Sequence, residues 1–142
     1  MRKNLTLGDL GDLLDQPILA VLATKRLDES VLLSPVWYEW CEEGMSIAIA
    51  ANSIKSKHIV HDPIVSAVVA EQKMPYRSFE ISGEARLSSP DDIFEIIRRI
   101  TLRYFNEEEA NAYVESCTGL EMELIRIMPA KIRAWDYSDE MD

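Results

Sequence analysis

The chain is short of positive charge, of cysteine and of long apolar runs, and each shortage removes a class of function. Only 15 Lys and Arg stand against 25 Asp and Glu, a formal net charge of −10 over 142 residues. A nucleic-acid partner needs a basic face to neutralise its phosphates, so none is expected. The two cysteines, Cys41 and Cys117, make no CxxC and read as free thiols of a reducing compartment. No apolar stretch approaches the roughly 18–20 residues that cross a bilayer. The basic start Met1-Arg2-Lys3-Asn4-Leu5 is not followed by the apolar segment of a secretory signal. A cytoplasmic protein without a membrane partner is the expectation. There is no Gly-rich phosphate loop, no GxSxG elbow and no ordered Ser–His–acid set. Hydrolase chemistry has no support, and no catalytic residue is assigned. His58 and His61 stand three apart, but nothing at ligand spacing completes a set, so no metal is expected.

What the chain does have is 47% apolar residues in short runs, enough for one core and one domain, residues 1–142. Disorder is expected only in the acidic tail Ser138-Asp139-Glu140-Met141-Asp142. Thr6 caps a short helix to Asp15, with Leu7, Leu10, Leu13 and Leu14 at helical spacing. Strands follow at Ile18–Thr24, Val31–Cys41 and Met45–Ala51, a meander with a tight Glu42-Glu43-Gly44 return. A helix capped by Ser53 runs to His61 and stops before Asp62-Pro63. Ile64–Glu71 is the fourth strand. In the fifth, Arg77–Ser88, Phe79, Ile81, Gly83, Ala85 and Leu87 point one way and the polar residues the other. Ser89-Pro90-Asp91-Asp92 starts a helix to about Tyr104, with Ile93, Ile96, Ile97, Ile100 and Phe105 as its stripe. A second helix spans Glu107–Cys117. The last strand, Glu121–Tyr137, is interrupted at Pro129. The fold class is mainly β: a six-stranded antiparallel barrel with helices at its rim.

Two strands are apolar on both faces. Leu33, Trp37 and Cys41 oppose Val36, Tyr38 and Trp40 in the second; Val65, Ala67 and Val69 oppose Val68 and Ala70 in the fourth. A small barrel has one inside, so its outside needs a cover. Helices would serve, but the long ones have stripes of their own to bury, which favours a two-fold dimer. The third strand puts large Met45, Ile47 and Ile49 on one face and small Ser46, Ala48 and Ala50 on the other. Small side chains admit a flat ring, or a closely packed neighbouring strand. Directly after it, a capped helix start carries Lys55 and Lys57. Helix N–H groups and two ammonium groups suit a phosphate; a solvated lysine pair is the plain alternative.

Ser34-Pro35-Val36-Trp37, then Lys55 to Asp62-Pro63, then Tyr76-Arg77-Ser78-Phe79-Glu80-Ile81-Ser82-Gly83-Glu84-Ala85, resembles the flavin-binding split β-barrel family related to pyridoxamine 5′-phosphate oxidase. Leu102-Arg103-Tyr104 and Ile132-Arg133-Ala134-Trp135 extend the resemblance over nearly the whole chain. It is closest to the branch of small deazaflavin-dependent reductases. The resemblance implies an FMN-binding type of split barrel and a homodimer with cofactor sites at the subunit interface. Ser34, Pro35, Val36 and Trp37 would lie along the isoalloxazine ring, with Ala50 and Ala51 beside them. Lys55 and Lys57 would hold the phosphate, and Tyr76, Arg77 and Trp135 would lie near the ring or the facing subunit. The implied activity is hydride transfer between bound cofactor and a small conjugated substrate. A module that stores or senses flavin or haem without turnover is the alternative. The cofactor is FMN or coenzyme F420. The resemblance favours the deazaflavin and the acidity favours FMN, because the deazaflavin's polycarboxylate tail would need Lys25, Arg26, Lys55, Lys57 and Arg77 as compensation.

Overall fold

Alternation along Phe79–Arg86 buries Phe79, Ile81, Gly83 and Ala85 and leaves Glu84 and Arg86 in solvent; this strand is the hub of the sheet. The computed structural model describes residues 1–141. It contains strands β1 (Arg2–Leu5), β2 (Ala20–Lys25), β3 (Val31–Val36), β4 (Glu39–Cys41), β5 (Gly44–Ala50), β6 (Ile64–Ala70), β7 (Ser78–Ser88) and β8 (Met122–Asp136). Three helices accompany them: α1 (Ile54–His61), α2 (Ile93–Thr101) and α3 (Glu107–Cys117). Every pairing is antiparallel, in the order β3-β2-β6-β7-β8-β5-β4, and β1 pairs with the far end of β8.

β3 and β4 lie at opposite edges of the sheet, yet only Trp37 and Tyr38 separate them in the chain. Three Cα steps span at most about 11 Å. The sheet must therefore curl until its edges nearly meet, while β3 and β4 share no ladder. This is a barrel split along one seam. The single strand expected over Val31–Cys41 is broken at that seam, so β3 and β5 are not neighbours in a meander.

The structure has eight strands, two more than expected. β1 carries no alternation to betray it, because Arg2, Lys3 and Asn4 are all exposed. It is tied instead by Arg2, whose Nε and Nη2 donate to the Asp136 carboxylate at 2.9 and 2.6 Å. The expected helix from Thr6 to Asp15 is two 3-10 turns, Gly8–Leu10 and Leu13–Asp15. Gly11 between them takes a φ of 63° that a helix cannot continue through. Thr6 Oγ1 still accepts from Asp9 N at 3.2 Å, and Leu10 and Leu13 are buried. In the acidic tail, Ser138–Glu140 forms a 3-10 turn rather than a disordered end. The N-terminal ammonium bridges Asp139 and Glu140 at 3.0 Å; Asp142 lies outside the described residues.

β8 passes through Pro129 as a bulge instead of ending there. The bulge explains Gly83 opposite it: a Cβ there would stand 2.7 Å from Met128 O. The main core fills the curl, and a second cluster joins Ile93, Ile96, Ile97 and Ile100 of α2 to Cys117, Met122 and Leu124. Phe105 falls off this stripe because α2 ends at Thr101. Ser89 does not cap α2; its hydroxyl donates to Met122 O at 3.0 Å.

Candidate functional site

β5 sorts its residues by size, as the sequence suggests. Met45, Ile47 and Ile49 are buried in the main core, while Ala48 and Ala50 face outward. Ser46, the third small residue, is buried and accepts from Arg126 Nη1 at 3.1 Å. Above the two alanines lies a groove of about 610 Å³. Its walls are Pro35, Val36 and Trp37 from the end of β3, Leu19 before β2, and Tyr113 of α3; Ser53 and Lys55 close one end.

Trp37 is a fixed wall. Its ring stacks on Tyr104 (centroids 5.4 Å apart, planes 13° apart), and Phe105 and Tyr113 meet it edge-on at 5.0 Å each. The closed end is the start of α1. Ser53 Oγ accepts from Ser56 N at 3.4 Å, and Ser53 O accepts from Lys57 N at 3.1 Å. The N–H groups of Ile54 and Lys55 keep no protein acceptor among the described residues, so they carry the positive end of the helix. Ser56 Oγ is already committed to Glu123 Oε1 at 2.8 Å.

Of the residues singled out from the sequence, the groove gathers Pro35, Val36, Trp37, Ala50 and Lys55. Ser34 belongs to the same strand and pairs with Leu22, on the face opposite Pro35. Ala51 closes β5 through its N–H to Glu121 O at 2.9 Å. Lys57 is exposed and stands two residues beyond Lys55; at 3.6 residues per turn it projects from a different face of α1. Tyr76, with a φ of 55°, meets Tyr137 edge-on at 6.2 Å. Trp135 lies under the Arg133 guanidinium at 4.4 Å. Neither lines this groove.

A second, larger groove of about 880 Å³ adjoins the first through Leu19 and Pro35. Ile18, Val21, Val68, Ala70 and Met74 give it apolar walls, and Gln16, Lys73 and Arg77 edge it. Arg77 is a strut there. It donates to Glu71 at 2.8 and 2.9 Å, to Asp12 at 2.6 Å and to Leu10 O at 2.8 Å. These bonds hold the Glu71 and Asp12 carboxyls below the usual carboxylate range and raise the arginine further.

Behind the wall, burial pushes the Tyr38 phenol up to about 12, against the opposing pull of Arg103. Burial raises the Glu39 carboxyl, but Arg99 at 2.5 and 2.7 Å together with Cys41 and Arg103 outweighs it and holds the group below its ordinary value. His58 is buried with Nδ1 3.0 Å from Thr24 Oγ1, and His61 lies 3.4 Å from Glu29. The two histidines thus have separate partners. Leu19 and Tyr113 were not foreseen in the site. Tyr113 sits on a helix dominated by glutamate, and no local pattern marks it; only the packing of α3 on Trp37 does.

No family model matches the chain, and no curated protein matches it. Solved structures do. A conserved hypothetical protein from Mycobacterium tuberculosis superposes with a TM-score of 0.81 at 17% identity, over 97% of this chain and 89% of its own. An F420 reductase gives 0.68 at 23% identity, over 85% and 93%. A protein named for pyridoxamine 5′-phosphate oxidase, from Listeria innocua, gives 0.66 at 19% identity, over 89% and 94%. At these identities the likeness establishes the fold: the chain is a split β-barrel of the kind those proteins share.

Proposed function

We propose that the chain is a flavin-type oxidoreductase related to pyridoxamine 5′-phosphate oxidase, with its cofactor in the groove over Ala48 and Ala50. The observation that carries this reading is the convergence of three features on one groove. A flat apolar wall at Pro35–Trp37, a floor without side-chain bulk, and a helix start bearing Lys55 match a tricyclic ring joined to a phosphate. The donor set fits such a group: backbone N–H and one ammonium for the phosphate, aromatic and aliphatic surface for the ring. When bound, the cofactor supplies the hydride chemistry. The protein orients it. Trp37 and Leu19 keep water from the ring side, and Lys55 with the α1 N-terminus fixes the phosphate end. The adjoining larger groove leaves room for a small conjugated substrate, which favours turnover over a storage or haem-sensing module.

FMN is placed first. Of the five cations available to a longer anionic tail, Lys25 is 3.6 Å from Asp62, Arg26 holds Ser30 Oγ and Val31 O, and Arg77 is the strut described above. Lys55 remains at the groove, with Lys57 on another face of α1 as a surface charge, enough for one phosphate. Coenzyme F420 is the second reading, favoured by the likeness to an F420 reductase. The functional unit in this reading is a homodimer. Val31, Leu33 and Ile64 are more than half exposed on the outer face of the sheet, and a second copy covers them. Absorbance and fluorescence titrations with FMN, riboflavin and coenzyme F420 test the reading. Saturable binding with FMN tighter than riboflavin is expected; no binding of any of the three would refute it.

A further inference from the structure

Arg103 and Tyr104 do not line the groove, yet they occupy the point at which its walls separate. β2 and β3 pair in one register, with Ala20 opposite Val36. Continued two residues further, that register would set Ile18 opposite Tyr38 and join Tyr38 N directly to Ile18 O. It does not do so. The Tyr104 hydroxyl stands between them, accepting from Tyr38 N at 3.2 Å and donating to Ile18 O at 3.0 Å. One oxygen atom is thus inserted into the ladder at the point where it stops. Arg103 braces the same place. Its Nη2 donates to Gln16 O at 3.2 Å, and its guanidinium lies over the rings of Tyr38 and Tyr104 at 4.9 and 5.7 Å.

The residues in between are the groove walls. Leu19 precedes Ala20 and Trp37 follows Val36, so the same register would make Leu19 and Trp37 a directly opposed pair. Opposed side chains on paired strands have Cβ atoms about 4.5–5.5 Å apart, too close for a ring to pass between. We infer that Tyr104 is the positioning residue of the cofactor groove. Its hydroxyl wedges the ladder open and sets the gap between Leu19 and Trp37, while its ring, stacked on Trp37, sets the plane of that wall. The inference rests on the cofactor reading above and concerns how this chain makes room for it.

The test is Tyr104→Phe. Without the hydroxyl, Tyr38 N and Ile18 O can bond directly, so the thermal midpoint should change little. FMN and riboflavin should both bind more weakly, on the order of tenfold, because the ring site rather than the phosphate site has narrowed. Adding Leu19→Ala to Tyr104→Phe should restore most of the loss by widening the same gap. A merely structural tyrosine predicts the opposite pattern: a lower midpoint, unchanged affinity in the folded protein, and no rescue by Leu19→Ala. That pattern would overturn the inference. Nuclear Overhauser contacts between Leu19 and Trp37 in the ligand-free protein give an independent readout, absent in the wild type and present in Tyr104→Phe. They separate the two hypotheses: if the wild type binds no flavin, the cofactor reading fails, while the wedge still stands or falls on these contacts.

Discussion

Lys55 and Lys57 look equivalent in the sequence and are not equivalent in the structure, which makes their separate replacement the sharpest test of the phosphate site. Lys55 lines the groove beside the free N–H groups of the first turn of α1; Lys57 is exposed and points elsewhere. A hydrogen bond to a charged group contributes about 1.5–3 kcal/mol. The groove is open and Lys55 only half-buried, so solvent and salt reduce that to about 1–2 kcal/mol. Lys55→Ala should therefore weaken FMN by roughly 5–30-fold. Lys57→Ala, acting only as a screened surface charge, should cost about twofold or less. Riboflavin lacks the phosphate and should be indifferent to both. Fluorescence titration of each variant with both ligands, at low salt and again near 0.5 M, reads all of this. The Lys55 effect should shrink in salt without vanishing, because the Debye length near 0.5 M is about 4 Å and a direct contact is shorter than that. Equal losses from the two lysines, or a riboflavin loss matching the FMN loss, would show that the anion corner has been misplaced.

Ala48→Phe puts a ring on the groove floor and should abolish FMN binding while leaving the inner face of β5 intact, as judged by an unchanged far-ultraviolet circular dichroism spectrum. Gly83→Ala forces a Cβ against Met128 O and Ala130 N at 2.7 and 3.1 Å. Backbone on both sides cannot give way, so the cost in urea unfolding should reach at least about 2 kcal/mol. Arg2 holds the Asp136 carboxyl well below its ordinary value, so this contact stabilises the fold fully above the unfolded carboxylate value of about 3.9. It is lost as the pH falls through the lower folded value. Arg2→Ala should thus destabilise at neutral pH, and its unfolding free energy should converge with the wild type in strong acid; a constant difference across the range would count against the pairing. Leu33→Asp places a charge on the exposed outer face of β3 and should halve the mass seen by light scattering, with FMN affinity falling alongside.

Elements whose local pattern states their environment were legible in the sequence. β7 declares its buried face by alternation, α2 by its isoleucines, and β5 by the contrast of large and small residues; β7 and β5 form within a residue of the expected ends, and α2 keeps its isoleucine stripe but is shorter, ends at Thr101 and is not capped by Ser89. The errors fall where a long-range partner decides. Val31–Cys41 reads as one strand because nothing local shows that its ends belong to opposite edges of a curled sheet. β1 is polar and short, and exists because Arg2 finds Asp136 at the other end of the chain. The helix expected from Thr6 to Asp15 has the right spacing but contains Gly11, whose positive φ leaves two separate 3-10 turns instead. In the site, the residues close in sequence to Trp37 and Lys55 were legible. Tyr113 and Leu19 were not, because they arrive through packing of α3 and through the seam.

The seam ties these observations together. A small barrel can fill its interior with its own side chains, as this one does with its main core. Here the chain crosses from one sheet edge to the other in two residues, and the β2–β3 ladder stops at Ala20–Val36, just before that crossing. The cost is a short stretch of backbone that neither neighbouring strand satisfies, and Tyr104 satisfies it with a hydroxyl from outside the sheet. The gain is a wall, Trp37, fixed beside the alanine face of β5 by three aromatic neighbours. A groove made this way lies outside the barrel and is open along one side, beside the apolar outer faces of β2, β3 and β6. Covering those faces with a second copy would also cover the groove. In the proposed reading, cofactor binding and dimer formation draw on the same surface, and a substitution that disturbs one is expected to disturb the other.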